Sequence, residues 1–143
     1  MKLEDLVCDF EYAEKLKELG VKRDTNFSYF MEYKGDNKFN PKLWLSKDIL
    51  IYKIKTMCVN DTYSAFTTDE LLEMLPKKII KKFLRHTLDI HKLDNNTGGF
   101  IVFYTNMSRG FMISFTDYKL SNALAQLLIW CIENGFVEVK NED

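Results

Sequence analysis

Glycine and proline are scarce in this chain of 143 residues, with six of one and two of the other. That scarcity, beside 46% hydrophobic and 14% aromatic residues, excludes a collagen-like or largely disordered polypeptide. Cysteine is scarce as well. Cys8, Cys58 and Cys131 are an odd number at wide spacing, which fits neither a disulfide framework nor a paired zinc knuckle. Long apolar runs are missing: the longest covers residues 127–132, whereas a membrane-spanning helix needs ~20 such residues. No membrane partner is therefore expected. Neither sign of charge dominates, since 20 basic and 21 acidic residues leave a net charge of −1, so the whole chain has no general attraction for polyanions. The first ten residues mix acids with brief apolar pairs and carry no secretory signal. A reducing, cytoplasmic setting is the expectation.

A chain of this size hides roughly 68–70% of its unfolded surface, enough for one core. A single domain over residues 1–143 is expected, with a tail frayed from about residue 140. Phe10, Ala13, Leu16 and Leu19 recur every third residue with charges between them, the stripe of an amphipathic helix. Asp9 stands where its carboxylate can accept from the first free N–H groups, and Gly20 where a left-handed cap is needed. Residues 27–33 are aromatic-rich, residues 34–37 form a turn cluster, and Leu43-Trp44-Leu45 reads as a short strand. Together they suggest an antiparallel pair. Residues 47–62 fit a helix about as well as a strand.

Thr67 and Glu70 have capping-box spacing, and Pro76 ends the helix they start. Residues 77–85 are basic and paired in a helix-like way. From Leu84 the pattern alternates, with Leu84, His86, Leu88 and Ile90 on one parity. Gly98-Gly99 then predicts a hairpin from a strand ending near Lys92 to one starting near Phe100. Residues 106–110 form another turn, and residues 111–115 the next strand. Leu120, Leu124, Leu127, Leu128, Cys131 and Ile132 give a last helix so apolar that neighbours or a partner must nearly encircle it. Asn134-Gly135 ends it, with Phe136-Val137 as an apolar cap contact or a short strand.

Three stretches, residues 9–21 (ending AEKLKELGV), 63–76 (YSAFTTDELLEMLP) and 120–137 (LSNALAQLLIWCIENGFV), cover about a third of the chain. Together they resemble a group of small proteins encoded by phages and prophages of gut bacteria. The chain departs from that pattern at Leu72, where an ELGEMLP-like string would have glycine. The resemblance implies a phage or prophage origin and residence in the host-cell cytoplasm. It implies no activity, because none is known for the group.

Chemistry-bearing constellations are few. Asp89 and His91 share one strand face at i, i+2, where a carboxylate could orient an imidazole for general-base work; the sheet's wet face, beside Thr87, is the plainer reading. His86 has the opposite parity and is expected to be a hydrogen-bonded core histidine. No catalytic set, cofactor motif or metal-ligand spacing is present, and no small-molecule substrate is indicated. Local charge is the remaining signal. Residues 77–92 hold six basic residues and one acid, and residues 21–60 hold eight and four. Lys77, Lys78, Lys81, Lys82 and Arg85 are therefore the candidate nucleic-acid contacts, with Phe27, Tyr29, Phe30, Tyr33 or Trp44 as stacking surfaces.

The order of elements suggests an α+β fold: an antiparallel sheet of about five strands, with the N-terminal, C-terminal and short middle helices on one face. The leading functional reading is a non-enzymatic accessory protein acting through protein contacts, by self-association or on a host or phage factor. Trp130, flanking the apolar face of the last helix, is the candidate interface anchor. The alternative is a nucleic-acid-binding accessory factor using the 77–85 block.

Overall fold

The computed structural model describes residues 2–32, 41–56, 59–81, 83–94, 98–106 and 110–139. In chain order the elements are a 3-10 turn at Leu3–Asp5, then α1 (Phe10–Glu18), β1 (Phe27–Glu32), β2 (Lys42–Leu45), α2 (Ser46–Thr56) and β3 (Val59–Ala65). They continue with α3 (Thr68–Met74), β4 (Lys78–Lys81), β5 (Leu84–Lys92), β6 (Phe100–Asn106), β7 (Gly110–Asp117) and α4 (Leu120–Glu133). The fold is α+β.

The strands divide between two antiparallel sheets, in the orders β2-β1-β3 and β4-β5-β6-β7. This corrects the expectation of one sheet of about five strands. Partner choice between strands depends on contacts far apart in sequence, which local alternation does not encode. Within the sheets the expected pairings are present. Phe27 lies opposite Leu45 and Tyr29 opposite Leu43, while Lys92 lies opposite Phe100 across the predicted hairpin. Gly99 has a φ of +118°, and a side chain there would sit 3.2 Å from the Asp117 carbonyl oxygen, so glycine is required at that position. The turn cluster at 34–37, residues 107–109 of the expected 106–110 turn and the tail from residue 140 lie outside the described residues; Asn106 and Gly110 at the ends of that turn pair as the last residue of β6 and the first of β7.

Residues 77–85 form a strand hairpin rather than a helical stretch, with Ile79 opposite His86 and Lys81 opposite Leu84. Alternation in β4 leaves Ile79 buried and Lys78, Ile80 and Lys81 exposed; pairing with β5 overrides the helix-like spacing. The ambiguous stretch holds both structures, a helix to Thr56 and a strand from Val59.

The main core is gathered around α4, whose Leu124, Leu127, Leu128 and Cys131 are fully or almost fully buried. The helix packs against β6, β7, α3 and α1, so encirclement by neighbours, as its composition requires, is what is observed. The same cluster takes Tyr29 and Ala65 from the three-stranded sheet and Val102 and Tyr104 from the four-stranded one. Consecutive strand residues face opposite ways, so Phe30, next to Tyr29, enters a separate small cluster with Ile49 and Tyr52 of α2. The helices therefore do not all lie on one face: α1 and α2 flank opposite faces of the smaller sheet.

The helix ends mostly follow the sequence signals. Thr67 caps α3 with its hydroxyl accepting from the Glu70 N–H, and the Glu70 carboxylate accepts from the Thr67 N–H at 3.0 Å. Gly20 and Gly135 close α1 and α4 with positive φ. Asp9 does not cap α1 with its side chain. Its carboxylate instead accepts from Lys119 Nζ at 2.6 Å and Asn122 Nδ2 at 2.9 Å, while its own N–H donates to Asn122 Oδ1 at 2.7 Å. That polar staple joins the starts of α1 and α4.

Candidate functional site

Asp89 and His91 share the outward face of β5, with His91 Nε2 3.2 Å from Asp89 Oδ2 and both side chains about half exposed. The Phe103 ring lies 5.3 Å from the imidazole. The pair sits on an open sheet face and lines neither of the clefts described below, so a substrate placed there would remain in water. His86 is buried on the other face. The expected hydrogen bond is missing at one of its ring nitrogens, because Nδ1 has no partner among the described residues.

Among the described residues no three His, Cys, Asp or Glu side chains gather as a metal site. Cys8 and Cys131 are buried free thiols. Burial pushes each up to about 11, against the backbone hydrogen bond from Phe66 at Cys8 and the hydrogen bond with Tyr104 at Cys131. Thiols held neutral in this way are poor nucleophiles at neutral pH. Cys58 lies outside the described residues.

Two clefts open on α4. The larger, about 720 Å³, has a floor that includes Ala13, Phe66, Met74, Leu128 and Ile132 and a mixed-charge rim of Lys17, Lys22, Arg23, Asp24 and Glu138. Its polar groups are largely engaged in holding the fold. Lys17 Nζ donates to the Thr62 carbonyl at 2.9 Å, Ser64 Oγ donates to the Arg23 carbonyl at 2.7 Å, and Arg23 pairs with Glu73. The smaller, about 340 Å³, lies beside Tyr12, Phe115, Ile129 and Trp130. Trp130 is half-buried and stacks on Phe136, ring centroids 5.3 Å apart. Phe136 thus provides the apolar cap contact and not a further strand.

Lys78 and Arg85 of the basic block face outward with Ile80, since Lys78 pairs with Thr87 and Ile80 with Arg85. Lys81, opposite Leu84, faces the other way. Lys77 precedes the strand and is exposed, and Lys82 lies outside the described residues. None of the expected stacking rings is near by sequence or sheet. Tyr29 and Phe30 are buried, and Trp44 sits in an aromatic cluster with Phe30 and Tyr52 on the other sheet. Phe27 is half-buried against the core, and Tyr33 lies outside the described residues.

Compared with protein-family models, curated proteins and solved structures, the chain matches none.

Two features escaped sequence reading. Leu50 and Ile51, on the outward side of α2, are 60% and 52% exposed, with Trp44 and Leu45 also exposed on the adjoining edge strand β2. Phe83, at the reversal between β4 and β5, is fully exposed and has a φ of +65°. The signal for Phe83 was available: Ile79–Ile80 and the alternation from Leu84 flank the three residues 81–83, where a hairpin could reverse.

Proposed function

We propose that this chain is a phage- or prophage-encoded accessory protein that acts without catalysis, through protein contacts that begin with self-association. The observation that carries the reading is the apolar surface on α2 and β2. Leu50 and Ile51 are exposed on α2, and Trp44 and Leu45 on β2, a strand at the edge of its sheet among the described strands; alternation sends Trp44 and Leu45 to opposite faces of that sheet. Edge strands present unpaired backbone groups, and an antiparallel edge can pair with a copy of itself about a two-fold axis. The resemblance of three stretches to phage-encoded proteins supports the setting.

Sedimentation velocity over a concentration series tests this. Wild-type protein is expected to show reversible association, and Leu50→Glu combined with Ile51→Lys to remain monomeric with an unchanged melting temperature. A wild-type chain that stays monomeric at every concentration, or a double variant that associates equally well, overturns the reading.

A further inference from the structure

We propose that the β4–β5 hairpin is a finger that docks on anionic lipid surfaces, with Phe83 and Ile80 entering the headgroup boundary and Lys77, Lys78, Lys81 and Arg85 meeting the phosphates. Phe83 carries the argument. A bulky L-residue at a φ of +65° occupies a region that glycine or asparagine takes at far lower cost. Lys81 pairs with Leu84, so Phe83 stands directly at the reversal, where a tight hairpin favours glycine or asparagine. The sequence places phenylalanine there instead. The Phe83 side chain gains nothing from the fold, since it is fully exposed. A strained backbone that holds out an unpacked aromatic ring points to a use outside the chain.

The surroundings name the partner. Residues 77–87 contain five Lys or Arg and no acid, in a chain whose net charge is −1. Among the described residues Lys77, Lys78, Lys81 and Arg85 form no ion pair. Ile80 adds a second apolar side chain near the tip, 66% exposed. Apolar residues at and near the end of an element, with cations beside and behind them, match the layering of a bilayer surface. A nucleic-acid strand is the weaker fit. The cations lie on both faces of the ribbon, whereas a strand lies along one groove with rings set in its floor. No described helix is long and apolar enough to cross a membrane, and docking by a fingertip needs none.

The test is flotation with phosphatidylcholine–phosphatidylserine vesicles, phosphatidylcholine vesicles and a single-stranded DNA oligonucleotide as separate probes. Wild-type protein is expected to float with the anionic vesicles only, and to be released by high salt. Phe83→Asn suits the left-handed backbone, so it should keep or raise the melting temperature while lowering vesicle affinity at least about tenfold. Changing Lys78, Lys81 and Arg85 to Gln should lower it about a hundredfold. A Phe83→Trp variant should show a blue shift on vesicle addition that wild-type protein lacks. The proposal is overturned if wild-type protein ignores anionic vesicles, if Phe83→Asn binds them undiminished, or if the oligonucleotide alone is retained.

Discussion

Asn122 and its neighbour Ser121 are both buried, yet the structure uses them in opposite ways. The Asn122 amide accepts from the Asp9 N–H at 2.7 Å and donates to Asp9 Oδ2 at 2.9 Å and to Asp117 Oδ1 at 3.2 Å. Lys119 Nζ completes the group by reaching Asp9 and the Glu4 carbonyl, each at 2.6 Å. Asn122→Ala leaves a backbone donor and two carboxylates short of partners, so it should cost about 2–3 kcal/mol. Ser121 Oγ has no hydrogen-bond partner among the described residues. Ser121→Ala should therefore be neutral or stabilising by up to ~1 kcal/mol, since it removes a buried hydroxyl that forms no bond. Urea unfolding of the two single variants checks the contrast. Equal losses would mean that the staple contributes no more than packing.

At the scale of elements, α4 is the support that the others share. Leu128 is almost completely buried where α4 faces the rest of the core, and Leu128→Ala is expected to cost about 2–5 kcal/mol in a thermal or urea melt. Trp130 is only half-buried and leans on Phe136 at 5.3 Å, so Trp130→Ala should destabilise the monomer less than Leu128→Ala does. Thr67→Ala, which removes the hydroxyl that caps α3, should cost about 1 kcal/mol. Near-native melts for both Leu128→Ala and Thr67→Ala would contradict this assignment of helix faces and ends. These three helices were legible in the sequence because caps and 3.6-residue periods are local: Thr67, Gly20 and Gly135 mark ends without reference to any partner, whereas Asp9, at the right position, gives its carboxylate to Lys119 and Asn122 instead. The β5–β6 hairpin was legible for the same reason, through alternation and Gly98-Gly99. What stayed hidden is non-local. Lys78–Lys81 become a strand only because β5 supplies hydrogen-bond partners, and nothing in residues 27–33 says that their sheet excludes β5–β7. The exposed surfaces were the least legible. Leu50, Ile51 and Phe83 are apolar residues, and only a fold shows which apolar residues are left outside.

At the scale of the whole molecule, both sheets meet one core through phenols and thiols that must stay protonated. Tyr29 donates to the Cys8 carbonyl at 2.7 Å, and Tyr104 donates to the Pro76 carbonyl at 2.6 Å. Burial first, and then neighbouring ionisable groups such as Cys8 and Cys131, push both phenols well above the usual tyrosine range. Burial likewise raises the Cys8 and Cys131 thiols from 9.0 to about 11. The sign follows from proton counting. Between pH 9 and 11 the unfolded chain releases thiol protons that the folded chain keeps, so the unfolded state binds fewer protons and stability falls as pH rises. The stabilisation is fully present below pH 9 and is lost through pH 11, at about 2–3 kcal/mol for each thiol by the usual conversion. Urea midpoints should therefore hold steady from neutral pH to about 9 and then drop. Cys8→Ala and Cys131→Ala should each flatten part of that drop while lowering the starting value. In a Cys58→Ser background, a thiol-specific reagent at pH 8 should label the folded protein only as fast as it unfolds. Rapid labelling of the native chain, or midpoints unchanged through pH 11, would show that these two thiols are open to water and that the core around α4 is not closed.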